Sequence, residues 1–363
     1  MLKVALKLLK KIKDNGYDAY IVGGYVRNYI LGIDSTDFDI TTNAKPMDIK
    51  NIFKDKCMPE EEYGSVRVII KNIKFEITTY RKELEYTNNR KPTKYIYINS
   101  LEDDLQRRDF TINTLCMDEK GRIIDLLGAL HDIEEKVIDT VGDSNTKFKE
   151  DALRILRAVR FATTLNFTLK DEVKDAIIKN KIYLKNVSMS RKKQELDKIF
   201  SSSNIEYGIG LIKELELDKE LEIYNLDNIV LCDDIIGIYS SIDVSDKYPF
   251  TNIEKETIKK VKEAIKLDNL DDMVLYKYGL YINSICASMK KINRAEVIKK
   301  YENLPIMSIK DINITGEEIM KILKKDGGPY ITEIYDDLER KIIKKELKNN
   351  KKEIKQYIII NYR

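Results

Sequence analysis

Residues 21–40 read IVGGYVRNYILGIDSTDFDI, and the fold of the first part of the chain follows from this stretch. A short β-branched run ends at Val22, two glycines follow, and a helix is expected to begin at about Tyr25. Glycine permits a tight turn, and the free N–H groups at the start of a helix attract anions. Gly23 and Gly24 are therefore a candidate phosphate site, although a Gly-Gly turn can also be only a turn.

Asp37 and Asp39 flank Phe38 later in the same stretch. If residues 38–41 form a strand, both carboxylates point to the same side, roughly 7 Å apart, because side chains alternate along a strand. Such a pair repels itself unless a cation lies between, and Mg²⁺ prefers carboxylate and phosphate oxygens. A surface Asp-x-Asp pair can also be merely solvated, but after a phosphate-binding turn it predicts a magnesium site.

Glu76 is a candidate third acid, because two metal ions that bridge attacking and leaving oxygens usually need one. It lies in a predicted strand over residues 74–80, where it can equally be an edge-strand glutamate that faces water. The run RRDFTIN over residues 107–113 places two arginines before an aspartate. This run is either an ordinary salt-bridge cluster, or one arginine neutralises triphosphate oxygens while Asp109 holds its geometry.

Residues 150–162, EDALRILRAVRFA, predict an amphipathic helix. Its polar half carries Asp151, Arg154, Arg157 and Arg160, with Asp151 and Arg154 as surface neighbours. A carboxylate acceptor beside a guanidinium donor matches cytosine and adenine, which present an amino group next to a ring nitrogen. Uracil and guanine present a carbonyl instead, and a bidentate contact rejects the wrong base by about 1–3 kcal/mol. The pair therefore predicts nucleotide selection by side chains, without a template.

Composition excludes several classes of function. The 363 residues carry a net charge of only +3, so local charge must identify any partner. His131 is the single histidine, which excludes chemistry that needs two, including HExxH proteases and hydrolases with paired His-Asp metal sites. The four cysteines are far apart without a Cys-x-x-Cys pair, which predicts a reducing, cytoplasmic environment. No stretch approaches about 18 apolar residues, so no membrane span is predicted.

The chain divides into a part with strand-like runs and a part with helical patterns. Short β-branched or aromatic runs predict strands at residues 19–22, 38–41, 66–70, 74–80 and 95–98. Asn72 is expected at the turn of a hairpin between the third and fourth of these. Residues 1–16 read as an amphipathic helix, not a signal peptide. An α+β domain is thus predicted up to about residue 140, followed by helices almost everywhere.

Together, GGYVRNYILG with DFD, RRDFTIN and EDALRILRAVRF resemble the successive motifs of class II template-independent nucleotidyltransferases. These are the bacterial CCA-adding tRNA enzymes and their poly(A) polymerase relatives. The resemblance is dense up to about residue 200 and returns near the C-terminus in LPIMSIKDINITGEEIM and GGPYI. It implies an elongated, seahorse-like chain whose head is similar to the DNA polymerase beta palm. The implied domains are a head (1–140) and an all-α neck (141–204), body (205–303) and tail (304–363).

The resemblance also implies roles for the motif residues. Asp37 and Asp39 match the magnesium ligands, and Glu76 matches an acidic position on the third strand of the family. The positions that match nucleotide contacts are Gly24, Arg27, Arg108, Asp151, Arg154, Arg157 and Arg160. Among them, Arg108 matches a triphosphate contact, and Asp151 with Arg154 the base-reading pair. The supporting residues are Gly23, Asp109 and Asn113.

The function implied by the resemblance is addition of C, C and A to the 3′ end of tRNA, from CTP and ATP, with Mg²⁺ (two ions) and release of pyrophosphate. The implied partner is tRNA, held at its 3′ acceptor end and at its elbow, with no membrane and no obligatory protein partner. The alternatives are an A-adding or CC-adding enzyme, a poly(A) polymerase, or a non-catalytic RNA-binding protein that kept the fold. The last would be expected to lose its carboxylates first, whereas Asp37 and Asp39 are both present.

Two segments bear on the subtype, and a third bears on the partner. Residues 80–106 resemble the flexible loop of full CCA-adding enzymes, with Asn88 and Asn89 where an acidic residue is common. The neck motif VSMSRKKQELDKIF has Ser190 where glutamate is usual. Residues 340–363 hold nine Lys or Arg against two Glu, which is either a solvated helix face or a phosphate-facing tail. For the second case a contact with tRNA is predicted at Lys344, Lys345 and Lys348.

Overall fold

The computed structural model describes residues 1–58, 64–87 and 91–363, which form two compact units, Met1–Ile223 and Tyr224–Arg363. The first unit contains a mixed sheet and helices, and the second is mainly helical. The predicted fold class, an α+β head followed by helices, is therefore confirmed. The finer boundaries at residues 140, 204 and 303 stay predictions.

The first unit contains the following elements. Its strands are β1 (Ala19–Val22), β2 (Phe38–Thr42), β3 (Ser65–Ile70), β4 (Ile73–Thr79), β5 (Arg81–Thr87), β6 (Lys91–Tyr97), β7 (Cys116–Met117), β8 (Ile123–Ile124), β9 (Val137–Ile138) and β10 (Thr168–Leu169). Its helices are α1 (Leu2–Lys13), α2 (Gly24–Ile30), α3 (Pro46–Phe53), α4 (Leu101–Gln106), α5 (Ala129–Glu134), α6 (Ser144–Glu150), α7 (Leu153–Leu165), α8 (Asp171–Asn180), α9 (Met189–Phe200), α10 (Ile205–Glu214) and α11 (Asp218–Leu221).

A six-stranded sheet in the order β3-β4-β2-β1-β7-β8 forms the centre of the first unit. The predicted hairpin is confirmed as β3 and β4, which pair antiparallel. Lys71 and Asn72 join them with φ of 51° and 61°, which is the pair of left-handed residues that a type I′ turn requires. Strand β4 then pairs in parallel with β2. This places the aspartate pair of β2 beside the glutamate of β4.

Helix α1 confirms the amphipathic interpretation of the N-terminus. Ala5, Leu8, Leu9 and Ile12 are buried at helical spacing, while lysines occupy exposed positions. Residues 80–106, predicted to resemble a flexible loop, contain β5, β6 and α4, and the two strands form a separate antiparallel pair. Asn88 and Asn89 lie outside the described residues.

The second unit contains strand β12 (Asp243–Val244) and the helices α12 (Ile235–Ser241), α13 (Asn252–Ala264), α14 (Asp272–Met289), α15 (Arg294–Glu302), α16 (Gly316–Leu323), α17 (Tyr330–Ile343) and α18 (Lys351–Tyr362). Strand β11 (Ile223–Tyr224) lies at the junction of the two units. Helix α14 is interrupted at Gly279, whose φ of 73° and ψ of 172° are not helical. Helices α16, α17 and α18 enclose an isoleucine-rich core, because their apolar residues recur at helical spacing.

None of the helices in the described ranges combines the length and the apolar character that crossing a membrane requires. All four cysteines are free thiols.

Candidate active site

Three acidic side chains line one cleft beside the central strands. Asp37, Asp39 and Glu76 face a cavity of about 240 Å³. Asp39 of β2 lies directly opposite Glu76 of β4 in the parallel register, while their neighbours Phe38 and Phe75 are buried on the other face. All three acidic residues are solvent-exposed, and in the described part of the chain none of them forms an ion pair. The cleft therefore presents open carboxylate oxygens.

The surroundings of Asp39 disfavour its ionised form relative to its protonated form. Neighbouring protein atoms partly desolvate it, and Glu76 and Asp37 add negative charge, so its pKa is raised against the opposing attraction of Arg108 and Arg157. A divalent cation would relieve this repulsion, and oxygen ligands are those that Mg²⁺ prefers. Among the described residues, however, no three His, Cys, Asp or Glu side chains form a ready metal cage. A cation here would need further oxygens from water or phosphate.

The predicted glycine turn connects β1 to α2. Gly23 adopts φ 78° and ψ −130°, a conformation that side chains rarely allow. A β-carbon at this position would lie 3.5 Å from both Nη1 of Arg108 and the backbone oxygen of Asn113. The N–H of Gly23 donates to the carbonyl oxygen of Leu115 at 3.1 Å. The turn thus brings the start of α2, at Gly24, close to the side chain of Arg108.

Arg27 is 6% exposed and is held by amides. Its Nη1 donates to Oδ1 of Asn113 at 2.5 Å, while Nε and Nη2 donate to Oδ1 of Asn28 at 3.1 and 2.8 Å. Burial and repulsion by Arg160 lower the pKa of Arg27 to about 10, so it stays protonated at neutral pH. Within the described residues it has no carboxylate at ion-pair distance. The site thus contains a buried positive charge that amides contact directly, with Asp109 reached only through Asn113.

Asp109 is the acceptor at the centre of the site. Its Oδ2 accepts from Nε and Nη2 of Arg157 at 2.7 and 2.5 Å, and its Oδ1 accepts from Asn113 Nδ2 at 3.1 Å and the Phe110 N–H at 2.9 Å. Burial alone would raise the pKa of Asp109, but these donors hold it well below the ordinary value. Asp109 therefore pairs with Arg157 of α7, not with the arginines next to it in sequence.

The predicted continuous helix over residues 150–162 is wrong at its start. Helix α6 ends at Glu150, Asp151 adopts an extended conformation with φ −141° and ψ 102°, and α7 begins at Leu153. The reason is a cap, because Oδ1 of Asp151 accepts from the Leu153 N–H at 3.0 Å. Desolvation raises the pKa of Asp151, opposed mainly by Arg154. Asp151 and Arg154 remain close enough to interact electrostatically.

Arg154 and Arg160 also have carboxylate partners, Glu150 at helical ion-pair spacing and Glu195 on another helix. Nη1 of Arg154 donates to Oε2 of Glu150 at 2.6 Å and to the carbonyl oxygen of Lys147 at 3.0 Å. Nε of Arg160 donates to Oε2 of Glu195 at 2.5 Å. The structure thus brings Arg27, Arg157 and Arg160 within the electrostatic reach of Asp109, and the roles assigned to the predicted arginines stay predictions.

Comparison with known proteins matches this geometry to one family. The family model described as "Poly A polymerase head domain" matches residues 19–139. "Probable RNA and SrmB- binding site of polymerase A" matches residues 166–221, and a model described as "tRNA nucleotidyltransferase domain 2" matches residues 243–358. The CCA-adding enzyme of Bacillus licheniformis is 35% identical over 98% of this chain and 97% of its own. This chain belongs to the family of CCA-adding enzymes.

Further members of the CCA-adding enzyme family agree in sequence and in fold. The Bacillus subtilis enzyme is 32% identical over 98% of this chain and 97% of its own. The solved structure of the Bacillus stearothermophilus CCA-adding enzyme in complex with CTP superposes with a TM-score of 0.84 at 26% identity, covering 98% of this chain and 96% of that one. The Thermotoga maritima enzyme complexed with tRNA has a TM-score of 0.72 at 21% identity, covering 100% and 95% of the two chains, and supports the fold. The predicted family, with its nucleotidyltransferase activity, is confirmed.

Asp104 is a residue of this CCA-adding family member that sequence reasoning missed. It is fully buried and accepts hydrogen bonds from the Thr41 hydroxyl, the Arg81 backbone N–H and Nε of Arg107, at 3.0, 3.1 and 2.8 Å. Nη2 of Arg108 lies 3.5 Å from Oδ2 of Asp104, the oxygen that also accepts from Thr41. Asp104 thus joins β2 to both arginines of the RRDFTIN run. A signal was available, since Asp104 precedes Arg107 and Arg108 by three and four residues, the helical ion-pair spacing.

Replacing Asp104 by asparagine is expected to lower the free energy of unfolding by about 3 kcal/mol at neutral pH, because it removes the buried negative charge that Arg107 and Arg108 face. Burial would raise the pKa of Asp104, but Arg107 and Arg108 lower it overall. A carboxylate with a lowered folded-state pKa contributes stability above its unfolded pKa and loses it as the pH falls. The difference between wild type and D104N should therefore shrink toward acidic pH in urea titrations. A constant difference across pH would contradict an electrostatic role.

Proposed function

We propose that this chain adds C, C and A to the 3′ end of tRNA, using CTP and ATP and releasing pyrophosphate. The observation that carries the proposal is the open carboxylate cleft of Asp37 and Asp39, which lies within the electrostatic reach of Arg108 and Arg157. Negative groups that bind a cation and positive groups that bind phosphate thus meet at one place. That combination serves phosphoryl transfer, in which catalysis depends on positioning and charge stabilisation.

The chain's own residues would position the two reactants. The terminal ribose 3′-oxygen attacks the α-phosphorus, a new P–O bond forms, the bond to the bridging oxygen breaks, and pyrophosphate leaves in line. Asp37 and Asp39 would hold Mg²⁺, with Glu76 as the third acid for a second ion. Bound Mg²⁺ lowers the pKa of the attacking hydroxyl and neutralises the leaving group. Arg108 is a suitable triphosphate contact, because its half-buried guanidinium lies beside the Gly23 turn and interacts electrostatically with Asp39.

Base selection would fall to Asp151 and Arg154. A carboxylate that accepts from an amino group, beside a guanidinium that donates to a ring nitrogen, fits cytosine and adenine but not uracil or guanine. Arg154 is 7% exposed and is fixed by Glu150 and two backbone carbonyl oxygens. Such anchoring limits the positions that the guanidinium can take. A side chain held in one position discriminates between bases better than a mobile one.

The runner-up within the family is a narrower enzyme that adds only A or only CC, or a poly(A) polymerase. The retained segment over residues 80–106 disfavours a CC-only enzyme, and the tail motifs favour tRNA over general RNA. A non-catalytic RNA-binding protein is disfavoured by the intact carboxylates. Free thiols at all four cysteines are compatible with the predicted cytoplasmic location, which stays a proposal.

The deciding experiment supplies the protein with Mg²⁺ and tRNA that lacks one, two or three terminal nucleotides. Each labelled NTP is added singly, and then CTP together with ATP. We expect extension of the shortest tRNA by three residues, stopping there and requiring both nucleotides, and no extension by D37A. Extension by A alone, by CC alone or beyond three residues would assign the narrower alternatives. Absence of incorporation by the intact protein would overturn the proposal.

A tRNA contact at the C-terminal basic stretch has its own expected result. Lys344 and Lys348 are exposed, whereas Nζ of Lys345 lies 2.7 Å from a carboxylate oxygen of Asp272. Reversing the charge of all three lysines to glutamate should weaken tRNA binding. The slope of log affinity against log salt should also become less steep, by an amount equivalent to the loss of up to about three phosphate contacts.

A matched control keeps the same change in net charge but places it elsewhere. Lys3, Lys7 and Lys10 are exposed on α1 in the first unit, and no described acidic group pairs with them. Their reversal should leave a larger share of the tRNA affinity and salt slope intact. Equal losses in both triple variants would show that only net charge matters, and unchanged binding in the first would remove the predicted contact.

A further inference from the structure

One aromatic ring lies beneath three of the arginines expected to bind the nucleotide. The guanidinium carbon of Arg160 lies 3.8 Å from the ring centroid of Phe161, that of Arg27 lies 5.0 Å away, and that of Arg157 lies 5.4 Å away. These arginines come from two helices, α2 and α7. Nothing in the motif pattern assigned a role to Phe161.

The ring is itself held in place. Phe161 is only 6% exposed, and its ring packs edge-on against the buried ring of Phe110, with centroids 5.7 Å apart and planes at 78°. The arginines each have a separate polar anchor as well. Arg27 binds Asn113 and Asn28, Arg157 binds Asp109, and Arg160 binds Glu195. Each guanidinium is therefore fixed by its own polar partners and by the shared ring.

The shared ring offsets part of the repulsion between the three arginines. Three guanidinium groups so close together repel one another, and this repulsion contributes to the lowered pKa values of Arg27 and Arg160, after burial. The face of a phenyl ring carries partial negative charge and attracts cations without neutralising them. Asp109 and Glu195 already pair with Arg157 and Arg160, and a further carboxylate in place of the ring would also neutralise Arg27. The ring attracts all three cations without adding a negative charge to the site.

We infer that Phe161 is a positioning residue for nucleotide binding, acting through its cation–π contacts to Arg27, Arg157 and Arg160. This inference rests on the proposed function, because it takes the three arginines to contact the incoming nucleotide. It predicts that the electron density of the ring face, and not only its volume, sets the affinity for CTP and ATP. Because the three arginines are shared by both substrates, CTP and ATP should be affected alike.

The test separates the ring's charge distribution from its packing. Phe161→Leu removes the ring, and we expect a roughly 5- to 30-fold rise in KM for CTP and ATP, with a smaller change in kcat. Progressively fluorinated phenylalanines at position 161 keep the shape of the ring while depleting its face of charge. KM should then rise stepwise with fluorination, and the melting temperature should stay nearly constant.

The matched control is the same fluorination series at Phe148 of α6, which is fully buried and has no described cation over its ring. KM should stay flat in that series. A flat series at position 161, or an equal rise at position 148, would overturn the inference, and the fluorinated series decides the matter if Phe161→Leu does not fold. Unmodified enzyme is assayed on the same tRNA in parallel. Its failure to incorporate nucleotides would count against the proposed function instead.

Discussion

Replacing Asp39 by asparagine is expected to reduce nucleotide incorporation by about a thousand-fold or more, while the protein stays folded. The carboxamide keeps the shape of the side chain but removes the charge through which a divalent cation would be held. Single-turnover incorporation of CTP into tRNA that lacks its three terminal nucleotides measures the effect. Excess Mg²⁺ or Mn²⁺ should restore part of the activity, because the loss is one of cation affinity.

The same substitution should leave stability unchanged or slightly raised. The raised pKa of Asp39 means that its ionised form is disfavoured in the folded protein, so a neutral side chain relieves a cost. The matched control is Asp34→Asn, in the connection between α2 and β2 that precedes Asp39, where the side chain is exposed and outside the cleft. Full activity in D39N, or an equal loss in D34N, would remove Asp39 from the mechanism.

Local patterns in the sequence predict much of the fold. Strand β1 is predicted with its observed bounds, and the hairpin of β3 and β4 follows from its turn. These features depend on neighbouring residues, so a single sequence reports them. The parallel pairing of β2 with β4 is different, because it joins segments that are distant in sequence and depends on the whole sheet. The register that places Asp39 opposite Glu76 was therefore not predictable from either strand alone.

In the candidate site, likewise, the motifs predict which residues are present but not which of them form pairs. The motifs located Asp109, Arg157 and Arg160, but not which of them pair. Arg160 donates to Glu195, which is 35 residues away on α9. Helical spacing reports neighbours on one helix and cannot report contacts between helices. For this reason the spacing alone gives Arg157 and Arg160 no partner, whereas the structure pairs them with Asp109 and Glu195.

The break between α6 and α7 was missed for a physical reason as well. Apolar spacing continues across Asp151, so periodicity alone predicts one helix over residues 150–162. The side chain of Asp151 instead caps α7 through the Leu153 N–H. Aspartate is among the residues that favour caps over helix interiors, because its side chain competes for backbone N–H groups. The cap leaves the second oxygen of the Asp151 carboxylate available to a ligand.

This arrangement leads to an expected change in base selection when Asp151 is replaced by asparagine. Asparagine retains an oxygen that can cap α7, so the backbone should be preserved. Its amide N–H can also donate a hydrogen bond, which a carboxylate cannot. The variant can therefore donate to the carbonyl oxygen that uracil presents. We expect the preference for CTP over UTP to fall roughly 5- to 150-fold in D151N, the range of one bidentate base contact.

The neighbouring carboxylate provides the contrast that makes this result specific. Glu150→Gln weakens the anchor of Arg154, whose Nη1 donates to Oε2 of Glu150 at 2.6 Å, but leaves Asp151 in place. A looser Arg154 should slow incorporation of CTP and of ATP, while UTP stays excluded because the Asp151 carboxylate still repels its carbonyl. Competition between CTP and UTP for one tRNA, measured with both variants, separates the two effects. If D151N slows CTP addition without admitting UTP, Asp151 acts as a cap and the base must be read elsewhere.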